Sequence, residues 1–108
     1  MNTNKVTLIG YVGKHLLSST NQDGTKRVAL RVATNESRKT KNGEKLFYTH
    51  WHDVVAWNNT AEYAEGNFVK GSRIMVEGSI SYQTYPDHTG HIRYITIITA
   101  KSLMNLDR

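Results

Sequence analysis

The stretch THWHDVVAWNN, Thr49 to Asn59, places two histidines, an aspartate and both tryptophans of the chain within eleven residues. Such a cluster suits three kinds of chemistry: metal ligation, catalysis, or the display of aromatic rings to a ligand. His50 and His52 are two apart, so on a strand both rings face one side while Asp53 faces the other. A zinc site needs a third ligand, and the remaining donors, His15, His88 and His91, fall in expected loops or tips. No metal and no cofactor is therefore expected. The chain has no cysteine, which excludes thiolate ligands, disulfides and a cysteine nucleophile. No G-x-S-x-G elbow is present, and GYVGKHLLSS lacks the Gly-Lys-Ser/Thr ending of a phosphate-binding loop. Asp23, Glu36, Asp53 and Asp87 are dispersed along the chain. An enzyme is not expected.

The aromatic residues are more informative. Trp51 and Trp57 are six apart, hence on one face of a regular strand and roughly 20 Å from each other. That is too far for one small-ligand pocket, but it suits an extended groove. Asp53 and Val55 share this face, while His52, Val54 and Ala56 carry the smaller side chains that fill a tapering barrel interior. The two rings then stand outside, where each can stack on a base without demanding sequence. The competing reading is that Trp57 seals the barrel end. Arg27 and Arg31, with Arg38, Lys39, Lys41 and Lys45, can neutralise phosphates beside the rings, and Tyr82 and Tyr85 add aromatic surface.

These residues need strands to hold them. The chain has 108 residues, a net charge of +5 and 38% hydrophobic residues, consistent with one small β-rich domain biased towards polyanions. There is no long apolar run, so neither a signal peptide nor a membrane span is expected, and the cytoplasm is the default location. Lys5–Gly13 sets Val6, Leu8 and Val12 against Thr7, Ile9 and Tyr11, with Gly10 and Gly13 suggesting a bend or close backbone approach. After the TNQDG turn, Val28, Leu30 and Val32 alternate with Arg27, Ala29 and Arg31. Ser37–Lys45 reads as a mobile, cation-rich hairpin tip around Asn-Gly, followed by a third strand from about Leu46 to Trp57. The one helical segment follows, with Asn58 or Asn59 as cap, Ala61, Tyr63, Ala64 and Phe68 as its apolar positions, and Gly71 as a stop. Then come a strand turning Ile74, Val76 and Ile80 inward, a second tip over YPDHTGH, and a last strand buried on much of both faces. The fold class is all-β: a five-stranded barrel of OB type with one short helix between strands 3 and 4. An SH3-like barrel or a small sandwich shares the strand count.

The segments NKVTLIGYVGK, VALRVATNES, THWHDVVAW, VKGSRIMVEGSI and TGHIRYITIIT resemble, in order and spacing, the bacterial single-stranded DNA-binding proteins. The resemblance runs from Asn4 to about Met104. It implies an OB fold across residues 1–108 as one domain, assembly into homotetramers (a dimer being the alternative), and single-stranded DNA bound with little sequence preference during replication, repair or recombination. A cytoplasmic, nucleoid-associated protein is implied. By position, Trp51, Trp57 and Tyr85 correspond to stacking aromatics. Lys5, Lys70 and Arg93 correspond to backbone contacts, and His52 to a subunit-interface histidine. Arg38 stands where the family carries a further tryptophan, offering a charge or cation–π contact instead. Ser81, Gln83 and Thr84 replace basic residues, which should lower the salt dependence of binding. The chain stops at SLMNLDR, short of the family's acidic tail, so tail-mediated recruitment of replication proteins is not expected. Two other readings remain. One is a tail-less dimeric primosomal accessory protein, distinguished by its solution mass. The other is an OB module for a protein partner, which would not bind oligonucleotides.

Overall fold

The computed structural model describes residues 2–14 and 16–107; His15, considered above as a metal donor, lies outside them. The elements run β1 (Val6–Val12), β2 (Leu17–Thr20), β3 (Lys26–Lys39), β4 (Lys45–Trp57), α1 (Asn58–Asn67), β5 (Arg73–Pro86) and β6 (Ile92–Asn105). Five of the strands close on themselves in the order β1-β5-β6-β4-β3, and β1 pairs back to β3 through Tyr11↔Ala33 and Val12↔Val32. The β4–β6 pairing is parallel, at Val54↔Ile98 and Val55↔Thr99; the other pairings are antiparallel. This is the expected OB barrel, its helix lying between the third and fourth barrel strands.

Alternation fills the interior. Val28, Leu30 and Val32 of β3 are at most 2% exposed and face Val54 and Ala56 of β4, both at 0%. Each of the valine and leucine side chains among them contributes about 1.5–3 kcal/mol of burial. Ile74 and Val76 join them from β5. Ile80 keeps the same parity but sits where β5 leaves the barrel, and is exposed. Ile97 and Ile98 are both buried, so β6 is covered on both faces at its centre as its sequence suggests. Gly10 lets β1 reach β3: a Cβ there would collide with the Ala33 carbonyl oxygen. The expected close approach is the point at which the barrel closes.

Four features depart from the sequence reading. An extra strand, β2, adds to the outer edge of β3. Its residues Leu17–Thr20 are all exposed, so it leaves no burial pattern to read. Second, the hairpins are long arms with small tips. The β3–β4 ladder continues out to Lys39↔Lys45 and the β5–β6 ladder to Pro86↔Ile92, leaving tight turns closed by Gly43 N–H to the Thr40 carbonyl and Gly90 N–H to the Asp87 carbonyl, both 3.0 Å. The arms raise the radius of gyration to 16.1 Å, against about 13 Å for a globule of 100 residues. Third, no side chain caps α1. Strand β4 passes into the helix with no intervening loop, and Asn58 is consumed in the reversal, at φ 52°, a left-handed conformation asparagine tolerates. Fourth, Gly71 does not stop the helix, which ends at Asn67. It forms the following turn, where its N–H donates to the Val12 carbonyl at 2.8 Å.

The helix lies over β3, β4 and β6, burying Ala61 and Ala64, and Phe68 is buried just past its end. Replacing Gly10 by alanine should lower the unfolding free energy by about 1–3 kcal/mol by forcing β1 from β3. A Cβ on Gly66, within α1, meets open space, so Gly66→Ala should raise it by about 0.5–1 kcal/mol. Urea midpoints of the two variants check both signs.

Candidate nucleic-acid interface

The register that packs the barrel interior also arranges its outer surface. On the outward face Arg27 lies opposite Trp57, Ala29 opposite Val55, Arg31 opposite Asp53 and Ala33 opposite Trp51. Arg27 is thus directly across from Trp57, and Arg31 is diagonal to Trp51. The Arg31 guanidinium sits 5.2 Å from the Trp51 ring centroid and that of Arg27 5.8 Å from Trp57, within cation–π range. Trp51 is 48% and Trp57 36% exposed, so each ring retains surface for a ligand, and Trp57 is not sealed into the barrel end. Gly13 supports this arrangement, since a Cβ there would lie 2.5 Å from Cζ3 of Trp51. Between the two rings runs a groove of about 420 Å³, floored by Ala29, Val55, Ile95 and Ile97, with Leu17, Arg27, Arg31, Asp53 and Gln83 around it.

The β5–β6 arm extends the same face. Gln83 pairs with Ile95 and Tyr85 with Arg93, so by two-residue periodicity Tyr85 and Arg93 continue outward from the groove lining. Tyr82 has the opposite parity and faces away from Tyr85, against the expectation that both add to one surface. Arg93 is held in place: its Nε donates to Asp87 Oδ2 at 2.8 Å. The other oxygen of Asp87 accepts from the Thr89 hydroxyl at 2.6 Å and from the Thr89 and His91 N–H groups at 2.9 and 3.0 Å. The Thr89 hydroxyl, opposed by partial burial and helped by Arg93, lowers the Asp87 carboxyl to about 2.

The remaining sites expected from the sequence lie elsewhere. Arg38 has the parity of the barrel interior, on the side of the β3–β4 arm away from Trp51 and Trp57. There it bonds Glu36 at 2.6 Å and lies 5.6 Å from the Tyr48 ring. The Arg38 hydrogen bond holds Glu36 below the usual carboxylate range. Lys5 borders a separate hollow with Asn4, Glu77 and Lys101, and Lys70 another beside the helix with Glu65 and Phe68. His50 and His52 do share a face, but His50 is exposed and 3.6 Å from Glu36, whereas His52 Nε2 contacts Thr34 Oγ1 at 2.9 Å. No group of three or more His, Cys, Asp or Glu able to hold a metal ion occurs among the described residues.

Sequence reasoning missed the Asp87 clamp on Arg93, although the clustering of Asp87, Thr89, His91 and Arg93 within seven residues was available as a signal. It also missed the apolar floor from β6, which only barrel closure brings beside Ala29 and Val55 in the groove.

Two outcomes follow from this geometry. Burial pushes the His52 imidazole below its ordinary 6.5; the His50 charge adds to this, and Asp53 opposes it. The unfolded chain then binds the proton more readily than the fold, so the stability His52 contributes is present above about pH 6.5 and is lost as pH falls towards the folded value. Urea midpoints should decline across that window, and His52→Gln should flatten the decline. Gly13→Ala should displace the Trp51 ring, seen as a shift in its fluorescence emission, with a destabilisation of about 1–3 kcal/mol.

The profile of the single-strand binding protein family matches residues 3–106. Single-stranded DNA-binding protein 1 of Xylella fastidiosa (strain 9a5c) is 39% identical over 106 residues, covering 97% of this chain and 78% of that protein. The single-stranded DNA-binding protein of Rhizobium meliloti (strain 1021) is 38% identical over 95 residues, 86% of this chain. This chain spans only 55% of that relative's length. Among solved structures, a Plasmodium falciparum SSB in complex with ssDNA superposes with a TM-score of 0.90 at 28% identity, covering 99% of this chain and 97% of the other. With the barrel, the helix position and nearly the whole length in agreement, this chain belongs to the single-strand binding protein family.

Proposed function

We propose that the protein binds single-stranded DNA along the outer face of β3 and β4, and protects it while it is unwound for replication, repair or recombination. The observation that carries this reading is the ladder in which Arg27 and Arg31 alternate with Trp57 and Trp51 over an apolar groove. Family membership and the structural likeness to a complex with ssDNA support it. Trp51 and Trp57 stack bases, and Tyr85 takes a further base on the β5–β6 arm. Arg31 and Arg93 hold the backbone beside those rings, while Lys5, Lys70 and Arg38 serve a strand that wraps beyond the groove. Stacking contributes about 1–3 kcal/mol per base whatever its identity. Phosphate neutralisation makes the affinity fall with salt.

The protein acts by binding and not by catalysis. It assembles as a homo-oligomer, a tetramer, with half-buried His52 at a subunit contact. None of its described helices is long and apolar enough to cross a membrane, in keeping with a place in the cytoplasm on nucleoid DNA.

Tryptophan fluorescence during titration with dT oligomers tests the reading. Quenching that weakens at high salt is expected, with Trp51→Ala losing about 1–3 kcal/mol of affinity. Absence of quenching and of binding at low salt would overturn it. Light scattering on the same sample should return four times the 12.3 kDa chain mass.

A further inference from the structure

A carboxylate is out of place on a face that holds a polyanion. Asp53 stands between Trp51 and Trp57 on their shared face, about half exposed and bordering the groove. It is two residues from Trp51, roughly 7 Å along the strand. Its partner is Arg31, whose Nε lies 3.5 Å from Asp53 Oδ1, an ion-pair separation longer than a normal hydrogen bond. The same guanidinium covers the Trp51 ring. A base cannot stack on that face of Trp51 without moving Arg31 aside, and moving Arg31 deprives Asp53 of its counter-charge. The base that takes the place of Arg31 can then supply this half-exposed carboxylate with donors in its stead, and hydrogen bonds to a charged group are among the stronger ones.

Resting on the proposed reading above, we infer that Asp53 is a base-selecting residue: it accepts hydrogen bonds from the base stacked on Trp51 and favours guanine there. A carboxylate only accepts, through two oxygens side by side. The Watson–Crick edge of guanine presents two adjacent donors, N1–H and the 2-amino group, which match that pair. Thymine offers a single N–H flanked by two carbonyl oxygens, whose lone pairs face the carboxylate. Cytosine and adenine each present one amino group beside an unprotonated ring nitrogen. Guanine therefore replaces the two-donor character of the displaced guanidinium, and a modest preference is laid over stacking that is itself indifferent to sequence.

The test compares three oligomers of equal length in lithium buffer, which suppresses guanine quadruplexes: all dT, dT with spaced guanines, and dT with inosines at the same positions. Inosine retains N1–H and O6 but lacks the 2-amino group. Wild-type protein should bind the guanine oligomer about fivefold or more tighter than the inosine oligomer, the lower end expected of a bidentate contact. In Asp53→Asn, whose amide offers only one acceptor, that ratio should fall to within about twofold. Removing the negative charge should tighten binding to the dT and inosine oligomers, and to the guanine oligomer less because it also loses the paired acceptors, so the ratio is the diagnostic quantity. Equal binding of guanine and inosine by wild type, or an undiminished ratio in Asp53→Asn, would overturn the inference while dT binding left the proposed function standing. Failure of every oligomer to bind or quench would overturn both.

Discussion

The antiparallel register between β3 and β4 is the constraint on which both the core and the surface depend. Val28, Leu30 and Val32 can reach the interior only if Arg27, Ala29 and Arg31 point out, and the same holds for Val54 and Ala56 against Val55 and Trp57. A slip of one residue in either strand would turn that strand's buried side chains to solvent and bury charged or bulky ones. Burial in the barrel therefore also fixes which arginine stands beside which tryptophan. The surface needs no separate device to align its rings and charges.

Closure makes this register useful. Because Gly10 lets β1 meet β3, and β4 meets β6 in parallel at the far side, Ile95 and Ile97 come beneath the same groove that β3 and β4 line. The arms then continue the face beyond the barrel, where little apolar burial holds them. Their tips are fixed instead by polar contacts, of which the Asp87 network is the most complete. Arg93 is thus presented in one orientation beside Tyr85, and loses less side-chain freedom on meeting a ligand than a free arginine would. Arg27 and Arg31 occupy the tryptophan faces. On the proposed reading, binding exchanges these cation–π contacts for base stacking and frees the guanidinium groups for phosphate.

Much of this was legible in the sequence. The alternation in β1, β3 and the second half of β4 identified their inward residues, and the parity of Trp51 and Trp57 placed both rings outside. Elements that bury nothing were not legible. β2 is an exposed edge strand held by backbone pairing, and the outer ends of the arms bury little on either face, so Ser37–Lys39 and Lys45 resembled mobile loop. Asn58 or Asn59 was read as a cap because asparagine favours caps and left-handed positions alike, and only the direct strand-to-helix passage selects between them. Arg38 was grouped with the binding residues by its charge and by its place in the family pattern; counting strand parity through the presumed tip adds that it shares a face with Glu36 and Tyr48 rather than with the tryptophans.

The sequence by itself determined the barrel's inward and outward sets, the absence of thiol chemistry and the identity of the displayed rings, because these follow from period-two burial and residue type. The tertiary structure alone decided what each displayed residue faces: Arg31 between Trp51 and Asp53, Arg93 clamped by Asp87, Lys5 and Lys70 away from the groove. Those relations join residues far apart in the chain through cross-strand register and barrel closure. No local pattern encodes them, since they depend on which strand lies beside which.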